Sequence, residues 1–212
     1  MSTLLKRSAI SAMAVAVLLF AGCSESTTPS GDSEAAKAAA GPPQVVTAKT
    51  AFAPMYKSAL AWSSDVQILR MTPREVTGFT NGAGKAALWE AAFASANKRQ
   101  LRVYSYAIAT VPPDVHRGVN ANIALPWAGP SRDAMPIDLA LFSVDSDGAY
   151  QAAAADADAW LKKNPTKTLT TIELGSNYKF RAPVWYVSWG DQKLGYIAFV
   201  DATSGKVYKK SK

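Results

Sequence analysis

Pro183-Val184-Trp185-Tyr186-Val187-Ser188-Trp189 and, earlier in the chain, Ala87-Leu88-Trp89-Glu90-Ala91-Ala92-Phe93 are the stretches on which the fold turns. In the later one Trp185, Val187 and Trp189 alternate with Val184, Tyr186 and Ser188, the period-two pattern of a strand with two faces. The earlier one is alanine-rich, and intrinsic propensity alone would make it a helix. Alignment with its β-like twin predicts a strand over residues 86–95 instead. Moving outward, Leu101-Arg102-Val103-Tyr104-Ser105-Tyr106-Ala107 aligns with Leu194-Gly195-Tyr196-Ile197-Ala198-Phe199-Val200, predicting the next strand of each copy. Upstream, a helical stretch ending at Trp62 matches one containing Trp160, and β-like segments follow at 66–71 and 168–174. Two copies of helix–strand–strand–strand describe the pattern.

The second helix carries its own signals. Asp145-Ser146-Asp147 offers side-chain oxygens to the free amides of a first turn. Tyr150, Ala153, Ala154, Ala157, Trp160 and Leu161 then recur at helical spacing as a core-facing stripe. Asn164-Pro165 ends it, because Pro165 disfavours α geometry at the residue before it. Between the copies, residues 111–136 hold five prolines and little period, and read as a long connecting loop or insertion. A loop of that length is expected either to be functional or to cover a sheet.

The run Pro183-Val184-Trp185-Tyr186-Val187 followed by Phe199-Val200-Asp201-Ala202-Thr203-Ser204-Gly205-Lys206-Val207 resembles the PepSY module. The resemblance implies an α+β fold: two tandem helix-on-antiparallel-sheet (PepSY/cystatin-like) units, a degenerate one at 44–110 and a second at 145–212. Residues 111–144 would form the connecting loop or insertion and a strand. It also implies an envelope location and a non-catalytic role in peptidase regulation or ligand sensing.

The N-terminus sets the expected compartment. Lys6 and Arg7 precede an apolar run from Ile10 to Phe20, too short to span a membrane comfortably at ~20 residues. Leu18-Leu19-Phe20-Ala21-Gly22-Cys23 then looks like the lipobox of bacterial lipoproteins, with Phe20 where that pattern usually has Leu. The resemblance implies a signal peptide over 1–22, cleavage after Gly22 and lipidation of Cys23. Ser24 in place of Asp implies the outer membrane, facing the periplasm. Residues 23–43 are small, polar and bear Pro and Gly, as a lipidated flexible tether would. More than one acyl chain makes such an anchor stable.

Composition narrows the chemistry. The 212 residues include one Cys and one His, so an intramolecular disulfide is excluded and a His-based metal cluster is not expected. Removing residues 1–22 takes Lys6 and Arg7 and lowers the formal charge from +7 to +5, a mild balance that does not point to nucleic acid. His116 has Asp114 to orient it but no nucleophile motif to serve. Asp145 and Asp147 explain themselves as caps rather than calcium ligands, and Asp156 and Asp158 lie on different sides of one helix. Gly82-Ala83-Gly84-Lys85 lacks the full phosphate-loop pattern and reads as a turn. No catalytic residue, metal or cofactor is therefore expected. Trp127, in Leu125-Pro126-Trp127-Ala128-Gly129-Pro130, is the candidate contact residue, either plugging the core or presenting a surface. The expected role is binding of a protein or peptide by a membrane-anchored envelope protein. The alternative is a small or lipidic ligand held between helix and sheet by Trp89, Tyr106, Trp185 and Phe199. A carboxylate hydrolase is the third reading, unsupported by any usefully spaced pair.

Overall fold

The computed structural model describes residues 44–180, 182–191 and 194–208. Its elements run β1 (Val46–Thr47), α1 (Ala48–Trp62), β2 (Gln67–Arg74), β3 (Lys85–Ala86), β4 (Leu88–Ser95), β5 (Gln100–Ala107), β6 (Gly118–Ala121) and β7 (Leu125–Pro126). A 3-10 turn at Leu139–Leu141 leads to α2 (Ser146–Lys163), β8 (Leu169–Gly175), β9 (Val184–Trp189) and β10 (Tyr196–Asp201). The class is α+β. An eight-stranded sheet has the order β10-β9-β8-β2-β4-β5-β6, with β7 also on β5, while β1 and β3 form a separate ribbon. Every pairing is antiparallel. Helix α1 contacts β4 and β5, and α2 contacts β9 and β10.

Each helix buries a stripe whose residues are small except for Met55. Those of α1 are Ala48, Ala51, Met55 and Ala59, and those of α2 are Ser146, Ala149, Ala153 and Ala157, at identical spacing. Small side chains let the helices lie close to the sheet, and large sheet residues fill the layer. Trp89 and Trp185 are both fully buried. Each indole N–H donates to the carbonyl just before a helix cap: Trp89 to Val46 at 2.9 Å, Trp185 to Val144 at 3.0 Å. The first strand after each helix bulges at the same place. In β2 the register shifts between Ile68 and Arg70, opposite Phe93 and Ala92. In β8 it shifts between Leu169 and Thr171, opposite Trp189 and Ser188.

The alanine-rich stretch is a strand, as its twin predicts. Burial explains its composition, since Trp89, Ala91 and Phe93 are fully buried on one face and Ala91 leaves room for the rings on either side of it. The alignment of the third strands is corrected by one residue. Trp89 pairs with Tyr106 and Trp185 with Val200, so Tyr106 corresponds to Val200 rather than to Phe199. A one-residue slip exchanges the faces of a strand. Phe199 therefore pairs with Tyr186 on the face away from the helices, where it meets Phe180 at 5.2 Å.

Residues 111–136 hold more structure than their prolines suggest. Strands β6 and β7 pair with Tyr104–Ala107 and Gln100–Leu101 respectively and cover the outer edge of β5. Exposed edges invite foreign strands, and short covering strands blunt them.

The two halves of the sheet meet at β2 and β8 through only two pairs, Arg70 with Gly175 and Met71 with Leu174. On one side of this seam Met135-Pro136-Ile137 bridges the strands. The Met135 amide donates to Ser176 at 3.0 Å and the Ile137 amide to Ile68 at 2.8 Å. The helix N-termini also meet. Ser146 Oγ accepts from the Ala48 amide at 2.8 Å, and Asp145 Oδ1 accepts from the Lys49 amide at 2.9 Å.

Candidate functional site

Gly22 and Cys23 lie outside the described residues. Trp127 follows β7, and its amide donates to the Arg99 carbonyl at 2.9 Å. Arg99 adopts a left-handed φ of 53°, which turns β4 into β5 and presents that carbonyl. The indole is half-buried and lines a shallow hollow of about 270 Å³ with Gln67, Ala96, Arg99 and Pro130. It therefore does not enter the main core. Beside it Ile123 is 80% and Leu125 51% exposed, so the three side chains form an apolar rim on the covered edge of the sheet.

The other candidates resolve by position. His116 sits on an exposed loop, and its carbonyl accepts from Asn120 Nδ2 at 2.7 Å. Asp145 is the N-cap of α2, as its sequence predicts. Its reach to the Lys49 amide could not be read locally. Asp158 pairs with Lys162 at 2.8 Å on the solvent side of α2. Asp156 accepts from the Tyr196 hydroxyl at 2.7 Å. Burial, then the Asp156 hydrogen bond and charge, push that phenol up to about 12. Among the described residues no group of three or more His, Cys, Asp or Glu side chains could hold a metal ion. Gly82 and Lys85 exchange backbone hydrogen bonds across Ala83-Gly84, so this stretch is a tight turn. A Cβ on Gly84 would collide with the Ser146 carbonyl, which fixes glycine there.

Two acidic positions emerge only from the fold. Glu173 is half-buried on the face away from the helices; burial pushes its carboxyl up and the Arg70 charge partly offsets this. Asp65, after α1, accepts from Ser95 Oγ at 2.6 Å, Ser63 Oγ at 2.7 Å and the Asn97 amide at 2.8 Å. These bonds, that of Ser95 foremost, hold its carboxyl well below the usual range. Both depend on partners distant in sequence.

The pocket expected between helix and sheet is filled. Trp89 and Trp185 pack in one cluster with Met55, Met71 and Leu174, and Phe199 lies on the other face. The larger hollows are on the surface. One of about 630 Å³ lies over Glu90, Ser105 and Asn122, and one of about 530 Å³ opens beside the β2–β8 seam.

No known protein family matches the chain, and no curated protein matches it. One solved structure, described as a lipoprotein (CD1622) from Clostridium difficile 630, superposes with a TM-score of 0.48 at 12% identity. The match covers 75% of this chain and 90% of that one. No helix among the described residues is long and apolar enough to cross a membrane.

Proposed function

We propose that this chain is a lipid-anchored, non-catalytic protein of the bacterial envelope that binds a protein or peptide partner, with peptidase regulation as the role. The observation that carries the reading is Leu18-Leu19-Phe20-Ala21-Gly22-Cys23, a lipobox-like run whose cysteine is the only one in the sequence. Acylated Cys23 would hold the folded part to the outer membrane, facing the periplasm, at the end of the tether over residues 24–43. Two PepSY-like units account for the recurring helix stripes, the matching bulges and the paired indole bonds. Exposed Ile123 and Leu125, beside the half-buried Trp127, supply an apolar contact surface of the kind partners cover.

Two measurements test the reading. Metabolic labelling with an alkyne-tagged palmitate should mark the wild-type chain and leave Cys23→Ser unmarked; equal labelling of both overturns the anchor. A photo-crosslinking amino acid at Leu125 should form an adduct in intact cells that the same residue at Lys163 does not. Equal yields at the two positions, or none at Leu125, overturn the rim as the contact. Deleting 111–136 is not a usable control, because it removes β6 and β7.

A further inference from the structure

Across β8, β9 and β10, Thr171, Ser188 and Ile197 stand side by side, since Ser188 pairs with Thr171 on one flank and with Ile197 on the other. Alternation along β9 turns Ser188 away from the helices together with Tyr186. These four side chains line a hollow of about 330 Å³. Ser188 is 8% exposed, yet neither its hydroxyl nor that of Thr171 has a hydrogen-bond partner among the described residues. No sealed polar side-chain atom lacks a partner among those residues, so the Ser188 Oγ opens into the hollow. The fold itself does not require this hydroxyl. Ser188 stands three residues past Trp185, as Ala92 stands three past Trp89. Ala92 pairs with Arg70 and Val103 where Ser188 pairs with Thr171 and Ile197. The first half thus builds the same three-strand row with no hydroxyl in it. The rim of the hollow is fixed as well. Thr170, set aside by the β8 bulge, donates from Oγ1 to the Gly190 carbonyl at 2.6 Å, and Asp191 beside it accepts from the Leu194 amide at 2.7 Å.

We propose that this hollow binds one neutral pyranose ring, an activity that goes beyond the protein-binding reading above and does not rest on it. Each hydroxyl both donates and accepts, so Ser188 and Thr171, one strand spacing apart, can engage two neighbouring hydroxyls of a sugar. The C–H face of the ring would pack on Tyr186 and Ile197, an apolar wall with a polar tip. Among the described lining residues there is a carboxylate, Asp191, and no lysine or arginine, which disfavours an anion. At Ser188 the strand β9 is paired on both sides, so its backbone is not available to an added peptide strand and side chains must do the recognising. The volume lies at the lower end of small-molecule pockets and suits a single ring.

The test uses the full lipidated chain in zwitterionic micelles, free of glycosidic detergent, probed by saturation-transfer NMR. The probes are the methyl glycosides of glucose, mannose and N-acetylglucosamine, with cyclohexanol and glucuronate as controls. At least one glycoside should receive saturation and shift the amides of Thr171, Ser188 and Ile197, and both controls should bind more weakly. Ser188→Ala should keep the wild-type melting temperature, because alanine already holds the twin position, and weaken that glycoside about fivefold. Should Ser188→Ala melt early, Thr171→Val decides instead, with the same loss expected. Trp127→Ala should bind as the wild type does. Tighter binding of a linked tetramer than of the monomer assigns the site to the end of a glycan, and equal binding assigns it to a free sugar; both sustain a pyranose site. No transfer to any glycoside overturns the proposal, as does cyclohexanol binding equally well or a glycoside indifferent to both hydroxyl deletions. The Leu125 adduct decides the protein-binding reading separately.

Discussion

Trp89 and Trp185 each do two things, filling the layer under a helix and satisfying a carbonyl at that helix's entrance. Phenylalanine keeps most of the apolar area but leaves the partly buried carbonyl without its indole donor. Trp89→Phe and Trp185→Phe should each cost about 1–3 kcal/mol, and by similar amounts, read from urea unfolding. Glu173 should behave in the opposite sense. Its carboxyl sits above the ordinary range because it is buried, so the folded state holds the proton more tightly than the unfolded chain. Stability then falls as pH rises through that interval, and the cost persists above it. Glu173→Gln should raise the urea midpoint at neutral pH and leave it unchanged below about pH 4. Aligned tryptophans announced themselves in the sequence; nothing local marks Glu173, whose burial comes from strands on both sides.

At the scale of elements, the two helices depend on each other. The first amide of α1 is capped by Ser146, a residue of α2, at a fully buried position. Ser146→Ala should cost about 1–3 kcal/mol and speed amide exchange in the first turn of α1 more than in α2. Faster exchange confined to α2 would show that the cap serves only its own helix. Asp65 fastens the other end of α1 to the turn between β4 and β5. Its carboxyl is held low, so this fastening is complete above the unfolded value of about 3.9 and is lost as pH falls through the folded one. Asp65→Asn should lower the melting temperature at pH 7, and the deficit should shrink as the pH is taken below about 4. Most elements could be read beforehand because their signals are local: the cap at Asp145, the stripe behind it, the alternation from Val184 to Trp189. The alanine-rich β4 needed its twin, since burial rather than propensity makes it a strand. A strand is expected within 111–144, but the places of β6 and β7 are not legible because four and two residues carry no period; pairing with β5 alone defines them. The displaced third-strand alignment put Phe199 in the core for a related reason, since register follows from hairpin pairing and not from composition.

The whole molecule follows from those dependences. The expected repeat would divide the chain near 110 and 145, yet the sheet runs through both parts, and one cluster joins Trp89 and Phe93 to Trp185 and Leu174. The described residues belong to a single compact unit. The seam itself is short, only two pairs. What joins the parts is the Met135–Ile137 bridge and the caps that α2 lends to α1. Neither fragment 44–110 nor fragment 145–208 holds these groups alone. The first would leave the Ala48 and Lys49 amides uncapped, and both would lose Ile137 from the cluster. The intact chain should therefore unfold in one transition, with far-UV circular dichroism and tryptophan fluorescence coinciding in urea. Trp89→Phe and Trp185→Phe should move both probes together, and each fragment expressed alone should lack the cooperative transition. Two separate transitions, one moved by each substitution, would instead mean that the halves fold independently and that the seam is only a contact between finished domains.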